Sequence, residues 1–471
     1  MNRISHDRNS GPDMNDREEL LRGIGRIADE AHMEAFAVGG YVRDRLLGRP
    51  GHDMDFAVVG DGPALALKIM KRLEGHGWIV YPKFGTASFL WKDCKLEFVT
   101  ARSESYNPDS RKPDVSAGGL EEDLSRRDFT VNCLAMALGS GRFGTLIDPF
   151  EGRKDIRRRL IRTPLEPDRT FSEDPLRILR AARFSSQLQF RIAPETLQSM
   201  ERERERLKII SQERITDEFL KILSHPKPSA GLYILRDTRV LEIVFPELTE
   251  LIGVEQRDTY HHKDVFEHTM KVLDNTAVLS DNLLLRFAAL VHDIGKPRVK
   301  RFVEGTGWTF HGHELIGVRM LKKLIPRMKL PGEYLRYGKK LTQLHMRPLQ
   351  LIGEEVTDSA IRRLLVEAGD HVQDLMTLCR ADITSGNPKR VKSHLDNFDY
   401  VSRRMQEVEE KDRMRAFQSP VRGDEIMAEC GIGPGPEVGR LKKRIEEAIL
   451  EGEIPNEHDA ALEYLQRIIG K

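Results

Sequence analysis

The sequence predicts an α+β protein in which a small mixed-sheet head precedes a long all-α body. Three observations carry this. Strand-like and helix-like spacings alternate over the N-terminal third. Strand patterns nearly vanish from about Glu173 onward. A chain of 471 residues is also too long for one ordinary hydrophobic core, so two or more domains are expected.

Residues 1–17 lack the apolar core of a signal peptide and read as a disordered tail. Residues 18–155 read as the head. There Leu20, Leu21, Ile24, Ile27 and Ala28 recur at helical spacing. Short β-type runs follow at 35–38, 56–59, 78–81, 88–91 and 96–99, with a helical stretch at 64–73. The segment 103–119 is rich in Ser, Pro, Asp and Gly, and loops of that length are usually functional or disordered. Residues 156–250 read as a helical neck, with helical spacing at 175–186, 194–207, 213–223 and 230–240. A second helical block of different signature spans 251–410, and a C-terminal helical tail spans 411–471 around a Gly/Pro-rich break at 431–435.

Composition excludes more than it assigns. Apolar residues make up 39% and charged residues 32%, which suits a wet surface. No stretch approaches the roughly 18 apolar residues of a membrane span. Four scattered cysteines form no C-x-x-C pair, which disfavours a disulfide framework or a zinc knuckle and points to the cytoplasm. Lys+Arg number 75 against 74 Asp+Glu, so overall charge does not demand a nucleic-acid partner. Basic runs at 153–162 and 296–301 leave one open; each alone reads as well as a solvated helix face.

The first chemical constellation is Gly39-Gly40-Tyr41-Val42-Arg43-Asp44. Glycines between a strand and a helix let backbone approach a phosphate, and the helix start offers N–H groups. Arg43 can clamp phosphate through its fork. Asp53 and Asp55 then open the next strand two residues apart, so both face one point. That pair suits hard cations such as Mg²⁺. Glu97, on the last strand of the head, is a candidate third carboxylate. Further on, Asp174, Arg177, Arg180 and Arg183 recur every three or four residues and share a helix face. Cytosine and adenine both carry an exocyclic amine beside a ring nitrogen, which an Asp and an Arg together can read. An amphipathic helix with surface arginines is the plainer reading of that segment alone.

On these residues the chain resembles the nucleotidyltransferase superfamily built around a palm like that of DNA polymerase beta. Within it, the chain is similar to class II tRNA nucleotidyltransferases and bacterial poly(A) polymerases. Further blocks match in order: Arg126 to Asn132, Asp148-Pro149 with Gly152 and Asp155, and Glu173 to Phe184. The resemblance implies addition of C, C and A to the 3′ end of tRNA from CTP and ATP, with Mg²⁺ at Asp53 and Asp55. It implies that Gly39, Gly40, Arg43 and Arg127 hold the triphosphate and that Asp174 with Arg177 selects the base. Arg180 and Arg183 would contact the nucleotide. Glu213 to Leu223 resembles a fifth block, read here as neck packing. A full-length segment at 100–119, with Arg102, goes in the family with adding the terminal A.

A second constellation lies in the later helical block: His268, then His292-Asp293-Ile294-Gly295-Lys296, His313, His345 and Asp382. His292 beside Asp293 resembles the HD metal-dependent phosphohydrolases, and imidazole with carboxylate suits a divalent transition metal. Beyond His292 and Asp293, the residues His268, His313, His345 and Asp382 compete as ligands. Alternatives are a poly(A) polymerase, an enzyme adding only CC or only A, and an HD phosphohydrolase whose head merely binds tRNA.

Overall fold

The computed structural model describes residues 14–49, 51, 53–105, 114–258, 261–351, 357–384, 387–416, 419–450, 453–455 and 457–470. The expected tail therefore lies largely outside the described residues. Its last residues are helical instead, because Met14–Glu30 forms one helix whose Arg17 is buried and donates to the Gly51 carbonyl at 2.8 Å.

The head is built on strands β1 (Glu34–Val38), β2 (Met54–Val59), β3 (His76–Tyr81), β4 (Thr86–Trp91) and β5 (Cys94–Thr100). A separate hairpin of β6 (Arg102–Ser105) and β7 (Asp114–Ala117) follows, then the short β8 (Ala135–Ala137) and β9 (Leu146–Ile147). Seven of these form one sheet in the order β3-β4-β5-β2-β1-β8-β9. Only the β2–β5 pair is parallel; the other neighbours are antiparallel. The helix Gly62–Arg72, capped by Asp61, provides the crossover side of the sheet.

The alternation of side chains decides what each face does. Phe56, Phe89 and Phe98 stack on one face, with ring centroids 4.6 Å (Phe56–Phe98) and 5.9 Å (Phe89–Phe98) apart. They join Leu21, Ile24, Leu65 and Ile69 in the core. Burial of each such ring stabilises the fold by roughly 1.5–3 kcal/mol. The opposite face is covered around β1 and β8, where Phe36, Val38, Ala57, Leu124, Cys133 and Ala135 cluster.

The neck consists mainly of the helices Leu176–Leu188, Gln212–Ser224 and Pro228–Asp237, packed through Ile178, Leu179, Phe219, Ile222, Leu232 and Leu235. The next block brings Val265–Leu279, Leu283–Val291, His313–Arg327 and Gly332–Leu344. Arg286 ties the two blocks together. Its fully buried guanidinium donates to the Leu223 and His225 carbonyls of the neck at 3.0 and 3.1 Å, and to Ser280 and Ala277 of its own block.

By packing, residues 1–345 with 377–387 form one unit and residues 346–376 with 388–471 another. Residues 388–410, read from the pattern as part of the second helical block, pack on Asp358–Ala368 of that block, and both fall in the second unit. In the second unit Val421, Ile426, Leu441, Ile445, Ala461 and Leu465 form a core of their own. Among the described residues no helix is long and apolar enough to cross a membrane.

Candidate functional site

The sheet register places Asp55 of β2 beside Glu97 of β5, and Glu97 beside Ser88 of β4. Register partners present their side chains to the same face. Asp53, two residues before Asp55, shares that side, as does Lys95, whose Nζ lies 2.6 Å from Glu97. Desolvation pushes the Asp55 carboxyl above its ordinary range, and Glu97 and Asp53 add to this against the pull of Arg127 and Lys95. Carboxylates sharing one face of neighbouring strands offer the oxygen donors that a hard divalent cation takes.

Gly39 turns β1 into the helix Gly40–Leu46 with φ 68° and ψ −132°, a backbone region that side chains disfavour. A Cβ there would lie 2.8 Å from Arg127 Nη1. The glycine therefore lets the Arg127 guanidinium sit directly against the turn. Arg127 is held by Asp123, at 3.0 Å from Nη2, and Asp123 also binds Arg126. Arg43 does not present an open fork: its Nε and Nη2 each bond Asp44 at 2.8 Å, and its Nη1 bonds Asn132 at 2.6 Å.

A cavity of about 410 Å³ joins these groups to the neck. Gly39, Gly40, Arg43, Asp55, Arg127, Asp174, Arg177, Arg180 and Arg183 all line it. Seven arginines against three aspartates leave it strongly cationic, as a triphosphate requires. The arginines of the neck helix are positioned differently. Arg177 is buried and donates to the carbonyls of Arg126 and Thr170. Arg180 forks onto Asp128 at 2.8 and 2.5 Å, and Arg183 bonds Glu218 at 2.7 Å. Asp174 receives the Leu176 N–H at the start of that helix and faces Arg214 at 3.7 Å. The Phe184 ring lies beneath Arg43, Arg180 and Arg183, the nearest guanidinium 4.2 Å from its centroid.

Four residues that set this cavity are not singled out as site residues by the sequence, although Asp128, Asn132 and Glu218 lie inside blocks that the resemblance matches. Asp128 and Asn132 link Arg180 to Arg43, since Asn132 donates to Asp128 at 2.9 Å while accepting from Arg43. Asp123 and Glu218 hold Arg127 and Arg183. Burial would push Asp128 up, but Arg180 and the Asn132 hydrogen bond hold it down at about 2.

The second constellation closes on itself. His268, His292 and Asp382 form one group of converging ligand atoms, and Asp293, His313 and His345 form another. Asp293 touches both: its Oδ2 is 3.2 Å from His292 and its Oδ1 is 3.3 Å from His313. The Nδ1 atoms of His292, His313 and His345 each lie 2.8 Å from a backbone carbonyl. A carbonyl only accepts, so each Nδ1 carries a proton and each Nε2 is turned inward. Gly295 makes the approach possible, because a Cβ there would fall 2.1 Å from the His313 carbonyl. His292 Nε2 and Asp293 Oδ1 are buried without a hydrogen bond, while Asp293 Oδ2 pairs with Lys296 Nζ at 2.6 Å and Asp382 Oδ1 with His268 Nε2 at 2.9 Å. Buried polar atoms are normally satisfied, so the first two fit metal ligands. Burial would push His292 down, yet Asp293 and Asp382 raise it to about 10, a measure of how strongly the carboxylates demand positive charge.

Residues 35–162 match the family described as Poly A polymerase head domain. Residues 189–252 match the probable RNA and SrmB-binding site of polymerase A, and residues 265–374 match the HD domain. The chain is 37% identical to the multifunctional CCA protein of Methylococcus capsulatus over 74% of its own length and 81% of that relative. It is 34% identical to the A-adding tRNA nucleotidyltransferase of Deinococcus radiodurans over 90% of its own length and 94% of that relative. The chain belongs to the tRNA nucleotidyltransferase family. A structure of a tRNA nucleotidyltransferase with a primer tRNA and an incoming ATP analogue is similar to it, with a TM-score of 0.57, at 26% identity over 80% of this chain and 99% of that one. As the match predicts, the family's head, RNA-binding segment and HD domain follow one another in this chain, with the cavity at the junction of the first two.

Proposed function

We propose that the chain adds C, C and A to the 3′ end of tRNA from CTP and ATP without a nucleic-acid template. The observation that carries this reading is the carboxylate row of Asp53, Asp55 and Glu97 beside an arginine-lined cavity that also holds Asp174 and Arg177. Asp53 and Asp55 would hold Mg²⁺, with Glu97 close enough to assist. When bound there, the metal supplies charge that favours the deprotonated 3′ hydroxyl and offsets the α-phosphate. The 3′ oxygen bonds to the α-phosphorus as the bond to pyrophosphate breaks. Arg127, Arg180 and Arg183 draw the triphosphate oxygens into the cavity, and the Gly39 turn lets them approach the backbone. Arg43 acts through Asn132 as a support of that wall. Asp174 and Arg177 offer an acceptor and donors to the base edge, so G and U would leave polar groups unpaired.

The HD cluster supports a second, hydrolytic activity on a phosphate ester. His268, His292, Asp293, His313, His345 and Asp382 would together hold a divalent transition-metal centre. Such a centre supplies a water of lowered pKa when loaded.

Addition of the terminal A alone is the competing reading, favoured because the A-adding relative is matched over nearly the whole chain. The test supplies each nucleoside triphosphate separately to tRNAs lacking all, two or one of the terminal nucleotides. Sequential C, C and A incorporation is expected. Incorporation of A only, of C only, or of a long A run rejects it. Asp53→Ala should abolish addition and spare hydrolysis, and His292→Ala should do the reverse.

A further inference from the structure

The carboxylate face of the sheet continues past its carboxylates. From Asp55 and Glu97 the register runs outward through Ser88 to Ile79. A second row runs from Ala57 through Val99 and Thr86 to Tyr81. The turn Pro82–Phe84 follows, fixed to the loop hairpin by Arg102, which donates to the Phe84 carbonyl at 2.8 Å. At this end the face is bare: Ile79 is 49% exposed, Tyr81 54% and Phe84 52%. The reverse face is packed on β2, β4 and β5 by Phe56, Ala87, Phe89 and Phe98, whereas on β3 it carries Val80, which is 37% exposed.

Scattered exposed apolar residues need no explanation, but a contiguous set does. β3 is also an edge strand, His76–Tyr81, with no Asp, Glu, Lys or Arg to blunt it, and the adjoining turn adds only Lys83. An apolar, aromatic edge without negative charge fits the bases of a single strand.

Its position says which strand. On the proposed reading, on which this inference rests, Asp53 and Asp55 are where a 3′ hydroxyl is extended. The cavity on the Gly39 and neck side takes the incoming nucleotide, so the RNA end arrives across the rest of the same face. We infer that Ile79, Tyr81 and Phe84 form a stacking platform for the unpaired 3′-terminal nucleotides of the RNA being extended. Stacking on an aromatic ring ignores base identity, which suits an enzyme that must extend tRNAs of different sequence.

The test uses the full chain with Tyr81→Ala, Phe84→Ala and Tyr81→Phe, all at exposed positions, after thermal unfolding has shown that each folds like the wild type. Expected is a rise in KM for the tRNA primer of roughly 5- to 100-fold in the alanine variants, the range that loss of one stacked base gives. KM for CTP and ATP should not move, and Tyr81→Phe should restore primer binding. A thiouridine placed at the RNA terminus should crosslink to the peptide carrying Tyr81 and Phe84. An unchanged primer KM, or a change in nucleotide KM alone, overturns the platform while wild-type addition stands. Absence of addition by the wild type would instead reject the underlying activity. A concentration-dependent dimer that the same variants abolish would assign the edge to a second copy and overturn the proposal.

Discussion

Replacing Asp128 by Asn tests whether one buried carboxylate organises the nucleotide cavity. Its Oδ1 accepts from the Phe129 N–H and from Asn132, and its Oδ2 accepts two bonds from Arg180. An amide of the same shape cannot serve both pairs. With its oxygen toward Phe129, the new NH₂ faces the donors of Arg180; flipped, it faces Phe129 and Asn132. Two hydrogen bonds are lost either way. The fall of the Asp128 carboxyl from 3.8 to about 2 is worth about 2.5 kcal/mol at ~1.4 kcal/mol per pH unit. Breaking a fully buried pair costs about 3–5 kcal/mol. Arg180 is one-third exposed, at 34%, which lowers that figure, so about 2–3 kcal/mol is expected. The sign follows from the folded value lying below the unfolded one. The contribution is complete at neutral pH, holds down to about pH 4 and disappears as pH falls toward 2. Urea unfolding of wild type and Asp128→Asn at pH 5, 7 and 8 should therefore give one constant difference, with KM for nucleotide raised by the freed Arg180. Equal stabilities, or a difference that decays between pH 7 and 6, would refute the reasoning.

Three further outcomes follow from the geometry. Gly39→Ala places a Cβ 2.8 Å from Arg127 in a strained backbone region, and nucleotide KM should rise at least tenfold with little change in HD hydrolysis, measured by steady-state kinetics. Gly295→Ala drives a Cβ into the His313 carbonyl, so metal analysis should find the content of the HD centre reduced and nucleotide addition intact. His225 is pushed down to about 4 by burial, aided by Arg183 and Arg286; its folded value lies below the ordinary 6.5, so stability should decline as pH falls from about 6.5 to 4. His225→Gln should remove that part of the decline in pH-dependent unfolding.

Local pattern made the sheet legible because its strands alternate between a packed and an open face. The runs expected at 56–59 and 96–99 sit inside Met54–Val59 and Cys94–Thr100. β8 and β9 escaped because three and two residues are too short to show a period. The hairpin Arg102–Ser105 with Asp114–Ala117 escaped because its composition is that of a loop. Residue types at short spacing announced the carboxylate pair and the His-Asp pair. Partnerships across long separations stayed invisible: Asp128 reaches Arg180 fifty-two residues on, and nothing in either neighbourhood announces the pairing. Arg43 lines the cavity, yet spacing did not announce that its own neighbour Asp44 occupies its fork.

Arg286 gives the molecule an unusual liability. Its guanidinium holds the carbonyls that end the Gln212–Ser224 helix, and that helix carries Glu218, the support of Arg183 in the cavity. Its own helix, Leu283–Val291, delivers His292 to the HD cluster. A single lesion at this position touches neither chemistry directly, yet it removes a footing from both. In a genetic screen it would behave as a double defect, and only restoration of the scaffold, never repair of either centre, would suppress it.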